Sequence, residues 1–175
     1  MTGSTVVPGH PVYTRDPGTF RELYEHHHAR IYALAWRMSG DVSQAEDLTQ
    51  EVFIRLWDAM TSFRGDSTFA TWLHRLAVNV IWSELIRERR SNGWLETATS
   101  AEMGSSTSHF DPIATQIDLE RALATLPHGA RTILVLYSVE GYGYREISDV
   151  LHVDIGTVKS QLHRARRLLL PILLR

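Results

Sequence analysis

Apolar side chains recur at helical intervals along most of this chain, and no stretch of any length shows the two-residue alternation of a strand. Phe20, Leu23, Tyr24, Ile31, Leu34, Ala35 and Met38 mark a first amphipathic helix. A second is expected to open at Ser43, where Glu46 three residues on forms a capping box, and to run to about Met60. Its inward stripe is Ala45, Leu48, Val52, Leu56 and Met60, with Phe53 and Trp57 beside it. Its outward stripe is Asp47, Gln50, Glu51, Ile54 and Asp58, acidic but with one branched apolar residue left outside. Gly, Asp and Ser cluster in a loop over 62–68. A long helix then spans about 68–90, with Phe69, Trp72, Leu73, Leu76, Val80 and Ile81 inward. It ends on Arg87, Arg89 and Arg90, cations that also suit the dipole of a last helical turn.

The periodicity then lapses. Residues 91–110 are rich in Ser, Thr, Gly and Ala, a composition that reads as a linker. Asp111 and Pro112 supply a cap and a first-turn proline for the next helix, expected at about 112–125, with another at 128–138. Gly141 and Gly143 break the chain before a helix-turn-helix pattern. A short helix carries Ile147, Val150 and Leu151 inward, and the chain turns at 152–155. A second helix then points Val158, Leu162, Ala165 and Leu169 inward and Thr157, Lys159, Ser160, His163, Arg164 and Arg167 outward. The expected fold is all-α: two small helical domains joined by a flexible linker, the C-terminal one containing the helix-turn-helix. The boundaries implied are a flexible tail over 1–17, a helical domain over 18–91, a linker over 92–110 and the helix-turn-helix domain over 111–175.

Composition narrows the chemistry. The chain has no cysteine, which removes disulfides, thiolate metal sites and thiol redox switching. No apolar run approaches the roughly 20 residues of a membrane span, and the N-terminus lacks the basic and apolar segments of a signal peptide, so a cytoplasmic location is expected. His26, His27 and His28 fall on a helix, where adjacent side chains diverge and cannot converge on one metal, so no metal or other cofactor is expected. Net charge is −2, modest for a DNA binder, but unevenly spread. From Tyr144 onward there are six Lys or Arg against three acids, whereas residues 92–143 hold two against six. Such a helix-turn-helix would grip DNA weakly by phosphate attraction alone and would need a larger partner. Taken by themselves, these features also fit a ligand-sensing regulator, a protein-binding helical module, or a plain amphipathic helix closing a small bundle.

Particular strings discriminate among these. Ala45-Glu46-Asp47-Leu48-Thr49-Gln50-Glu51-Val52-Phe53-Ile54-Arg55-Leu56-Trp57 and Phe69-Ala70-Thr71-Trp72-Leu73-His74-Arg75-Leu76-Ala77-Val78-Asn79 resemble successive segments of region 2 in bacterial extracytoplasmic-function (ECF) sigma factors. Leu126-Pro127, Glu140-Gly141, Tyr144-Arg145-Glu146-Ile147 and the run from Gly156 to Arg166 resemble region 4 of the same family. They occur in the family's order and spacing over roughly 18–172. The resemblance implies a non-enzymatic subunit that binds core RNA polymerase and directs promoter-specific initiation through the minus-ten and minus-thirty-five elements. Its partners would be core polymerase, promoter DNA in duplex and single-stranded form, and an anti-sigma factor.

Roles carry over position by position as implications of that resemblance. Asp47, Gln50, Glu51 and Ile54 would dock on the coiled coil of the polymerase's largest subunit. Phe63, Arg75, Asn79, Arg87 and Arg90 would hold the opened minus-ten strand, where cations must be combined with groups that face bases. Arg145, Thr157, Lys159, Ser160, His163, Arg164 and Arg167 would read the minus-thirty-five duplex, from the second helix of the motif and the start of the first. The chain departs from the family at Ser83, where aspartate is common. It departs at Ser148 and His152, usually a small residue and a glycine, and at Asp154, often proline. These departures bear on which promoter is recognised more than on the fold.

Overall fold

The computed structural model describes residue 13, residues 15–91 and residues 115–173, and within them the chain is helical without a strand. The helices are α1 (Pro17–Ser39), α2 (Val42–Ala59), α3 (Phe69–Ser91), α4 (Thr115–Ala124), α5 (His128–Ser138), α6 (Tyr144–Leu151) and α7 (Ile155–Leu173), with a 3-10 turn at Met60–Ser62. The expected linker over 92–110 and the helix start at Asp111 and Pro112 lie outside the described residues. The last residues of the expected tail are engaged: Tyr13 packs on Phe69 with ring centroids 4.1 Å apart, and the Arg15 guanidinium donates to the Trp57 carbonyl at 3.0 Å.

Local chemistry sets the helix ends. Asp16 accepts from the Thr19 amide at 2.9 Å and Pro17 occupies the first helical position, where its missing N–H is not needed. α1 ends on Gly40 in the left-handed conformation, φ 74°. That turn leaves one residue before α2, so the cap is Asp41, whose carboxylate accepts from the Gln44 amide at 2.8 Å. The expected capping box at Ser43 does not form, because Ser43 already lies inside the helix. α7 runs through Pro171 to Leu173, so the proline that interrupts the apolar run does not end the helix.

The first three helices pack on one another, and α5 packs on α7 and α6. The two halves also meet: α1 lies against α5 and α4, and α3 lies against α6. Buried apolar residues from both halves, from Leu23 to Leu169, form one continuous cluster. The inward stripes read from periodicity on α2 and α7 are buried, including Val52, Leu56 and Met60 and Val158, Leu162 and Ala165, whereas Tyr24 on α1 is exposed, Trp72, Leu76 and Val80 on α3 are half-buried, and α3 buries Ala77, Val78 and Leu85 instead.

One charged side chain lies inside this core. Arg131 on α5 is 4 % exposed. Its Nε donates to the Leu123 carbonyl at 2.7 Å, and Nη2 donates to the carbonyls of Ala124 at 2.5 Å and Leu126 at 2.8 Å. Nη1 crosses to the other half and donates to the Ser39 carbonyl at the end of α1. Ser39 and Ala124 end their helices, where carbonyls lack intrahelical donors, Leu126 lies in the turn after α4, and Leu123 also accepts the Leu126 amide at 3.0 Å. Burial, and then the charge of Arg89, brings Arg131 down to about 10, so it stays protonated at neutral pH. A side chain on Gly40 would collide with the same guanidinium.

The turn of the helix-turn-helix is pinned by Ser148, whose hydroxyl donates to the Val153 carbonyl at 2.6 Å. His152 adopts φ 53°, ψ 47°, the left-handed region where a glycine is ordinarily placed. Replacing His152 with Gly removes that strain, worth about 1 kcal/mol, and should raise Tm by roughly 2–4 °C in thermal unfolding. Arg131→Met leaves the carbonyls of Ser39, Ala124 and Leu126 without their side-chain donor and should lower unfolding stability by roughly 3 kcal/mol in urea titration. Arg131→Lys should recover little of this, since an ammonium cannot reproduce the fork.

Candidate nucleic-acid interface

Three groups of exposed polar residues stand on this frame, and each owes its position to one helix. On α2, the residues opposite the buried stripe face outward. Asp47 and Gln50 are exposed, and Ile54 is 57 % exposed, among the most open of the large apolar residues described. Glu51 is half-buried and accepts from Arg55 Nε at 2.9 Å, an i,i+4 pair on the same helix. Ile54 sits at the mouth of an apolar groove of about 420 Å³ whose walls include Phe20, Tyr24, Phe53 and Trp57. Gln50 and Asp58 edge this aromatic trough, whereas Asp47 and Glu51 line a separate polar cleft with Glu84, Arg87 and Glu88 of α3, a division that sequence periodicity alone did not show. α1 supplies Phe20 and Tyr24, and only the α1–α2 packing brings them beside Ile54.

On α3, Arg75, Asn79, Arg87 and Arg90 are all exposed. At 100° per residue, Arg75, Asn79 and Arg90 fall within roughly 60° of one another on the helix, and Arg87 lies off to one side. Arg87 also pairs with Glu84 three residues before it. Arg75 borders a cleft between the halves together with Arg30, Thr71 and Glu146. Phe63, expected to face DNA, is half-buried instead. Its ring centroid lies 5.5 Å from those of Phe69 and Trp72 and 5.8 Å from that of Tyr13. That cluster anchors the loop before α3.

On α7, Lys159, Ser160, His163 and Arg167 are exposed, and Thr157 and Arg164 are half-buried. Ser160 donates to the Thr157 carbonyl at 3.0 Å, a local bond that leaves the hydroxyl outside. Arg145 is exposed at the start of α6, whose N-terminus is held by the Gly143 amide donating to Glu146 at 2.7 Å. Asp154 immediately precedes α7, and its carbonyl accepts the Val158 amide at 3.1 Å, so an acid stands beside the helix start that would approach DNA. Arg166 points elsewhere: its guanidinium lies 5.4 Å from the centre of the Tyr137 ring, which stacks on Tyr144.

The histidine run diverges as helical geometry requires. His27 faces Phe69 and is held below the usual imidazole range by burial and then by His26, while His28 lies beside Tyr24.

Contacts between the halves involve residues that sequence reasoning did not single out. His74 Nε2 donates to the Glu140 carboxylate at 2.9 Å, and its Nδ1 lies 2.9 Å from the Tyr142 hydroxyl. The hydrogen bond from His74 is the main cause holding Glu140 below the ordinary carboxylate range, against its burial. The Trp82 indole N–H donates to the Leu151 carbonyl at 3.2 Å, at the end of α6. Each bond spans more than sixty residues, so no local pattern announces it.

Known proteins carry the same two units. The Sigma-70 region 2 profile matches residues 23–91, and the Sigma-70 region 4 profile matches residues 116–169. The ECF RNA polymerase sigma factor SigE of Mycolicibacterium smegmatis is 38% identical over 154 residues, covering 83% of this chain and 58% of that protein. The ECF RNA polymerase sigma-E factor of Escherichia coli is 33% identical over 164 residues, covering 86% of this chain and 84% of that protein. Among solved structures, the sigma factor RpoE of Bartonella quintana, crystallised with the anti-sigma factor NepR, shares the fold. Its TM-score is 0.60 at 24% identity, covering 88% of this chain and 96% of that one.

Proposed function

This chain belongs to the ECF RNA polymerase sigma factors, and from that premise we propose that it binds core RNA polymerase and directs promoter-specific transcription initiation. The observation that carries the reading is the pairing of two separate polar surfaces, on α3 and α7, with a third surface on α2 that has the chemistry of a protein-docking face. An exposed branched apolar residue on the wall of an aromatic groove edged by Asp58, with Asp47 and Glu51 further along the same helix, suits a basic helix better than it suits a nucleic acid. Asp47, Gln50, Glu51 and Ile54 are therefore assigned to polymerase.

Arg75, Asn79, Arg87 and Arg90 are assigned to the opened minus-ten strand, with Phe63 supporting the loop before them. Arg145, Thr157, Lys159, Ser160, His163, Arg164 and Arg167 are assigned to the minus-thirty-five duplex. The reading gives the chain no catalytic step and no cofactor. No described helix is long and apolar enough to cross a membrane, and the proposed work belongs in the cytoplasm, where polymerase and promoter are. An anti-sigma factor is a further proposed partner, acting by covering the α2 groove or the α3 face.

Transcription in vitro with purified core polymerase tests this. The chain should yield a discrete transcript from a promoter located by start-site mapping after overproduction, including one upstream of its own gene. Absence of any such transcript would sink the reading. Ile54→Asp should weaken core binding about tenfold or more while leaving Tm within about 2 °C, because the side chain contributes little to the core it borders. On the upstream duplex, Lys159→Ala or Arg167→Ala should lower affinity at every sequence and reduce the salt slope by about 1, the signature of one lost phosphate contact.

A further inference from the structure

Trp82 is a residue that the assigned surfaces leave over. It lies on α3 seven positions after Arg75 and three after Asn79. At 100° per residue it shares one face with both, within roughly 60°. Its side chain is half-buried, and its indole N–H is donated to the Leu151 carbonyl, the last of α6. The ring packs against the apolar core, and its polar edge is covered by the end of a helix from the other half of the molecule.

That cover cannot stay in place during initiation. The two promoter elements lie about 25 base pairs apart, or roughly 85 Å at 3.4 Å per base pair. A packed chain of this length has a radius of gyration of about 16 Å, and so spans about 40 Å. One chain holding both elements must separate its halves. Separation breaks the contacts of Arg131 with Ser39, of His74 with Glu140 and Tyr142, and of Trp82 with Leu151. Most of these groups are polar and find water. Trp82 instead loses the end of α6 from its indole edge, on the face of α3 that carries Arg75 and Asn79. An aromatic face next to a cation and an amide is the composition that binds an unpaired base, since stacking suits any base and the amide can read an edge.

We propose that Trp82 is a stacking residue for the opened strand, sheathed by the end of α6 while the halves are packed and exposed when they part. The proposal rests on the sigma-factor reading above. It makes the packed arrangement a resting form, in which the helix that holds single-stranded DNA lacks its aromatic platform.

The test uses holoenzyme assembled from the full chain and core polymerase. The probe is a forked duplex of the mapped promoter, single-stranded over the non-template minus-ten stretch and carrying 2-aminopurine there. Trp82→Ala should leave core binding intact, weaken fork binding about tenfold and brighten the 2-aminopurine as the base unstacks. Trp82→Phe should stay within about threefold of the parent, whereas Trp82→Leu, apolar but without a π face, should behave like Ala and serves if Ala disturbs the fold. Fork binding and fluorescence unchanged in both Ala and Leu, or tighter in either, would make Trp82 a packing contact only and overturn the proposal. The parent holoenzyme controls the premise. If it binds the fork no better than core polymerase alone, the sigma-factor reading fails and the stacking role with it.

Discussion

A single guanidinium at the meeting point of two helix C-terminal ends governs much of this architecture. Helices terminate in carbonyls without donors, and α1 and α4 both end inside the core, away from water. Arg131 supplies donors to both sets at once, three carbonyls around the end of α4 and that of Ser39 on α1. The consequences run outward. The guanidinium fills the space beside Gly40, so that position must lack a side chain as well as tolerate φ 74°. The tight Gly40 turn makes Asp41 the cap of α2, and the start of α2 fixes its phase. The phase of α2 in turn decides that Asp47, Gln50 and Ile54 face out while Val52 and Leu56 face in. A surface proposed to meet polymerase is thus positioned by a hydrogen-bond network that never touches it.

What could be read from the chain beforehand divides along the range of the interactions concerned. Apolar periodicity depends on nearest helical neighbours, and it located the helices and their buried stripes. Caps depend on one or two residues at a turn, and there the reading slipped: Ser43 with Glu46 has the pattern of a capping box, but the left-handed Gly40 pulls the helix start forward to Asp41. Arg131 stands out in hindsight as one charge in the apolar run from Ala130 to Leu136, a pattern that asks for buried acceptors without saying which. The contacts of His74 and Trp82 join residues more than sixty apart and follow from how the halves pack. Phe63 shows the limit at the candidate site. An aromatic residue in a polar loop can face a ligand or anchor the loop, and the packing of Phe63 on Tyr13, Phe69 and Trp72, which no local pattern gives, shows the anchoring.

The family departures acquire physical content from the same geometry. Ser148 uses its hydroxyl to tie the turn across to Val153, so a polar residue there contributes something an alanine would not. His152 occupies a left-handed position at some strain, and its exposed ring lies beside Asp154 at the entry to α7. Strain of this kind is retained only where the surrounding structure enforces it. The two residues line one shallow depression with Ser148 and Thr157, next to the start of the helix proposed to read the duplex.

Charge closes the argument. A chain of net charge −2 has too little excess positive charge to hold two DNA sites by phosphate attraction, and only seven of its 18 Lys and Arg stand at the proposed DNA contacts. Among the acids, the α2 stripe looks away from the core, and Glu140 is spent on His74 between the halves. Affinity must then come from a partner that grips one half and presents DNA to the other. Under that arrangement, contacts between the halves need to be strong enough to order the free chain and weak enough for the partner to break. Hydrogen bonds between neutral or singly charged groups, each worth about 1 kcal/mol net and replaceable by water, meet both conditions. The apolar cluster shared between the halves sets how much the partner must supply. The aromatic groove on α2, the surface proposed to meet polymerase, stays open while the halves are packed.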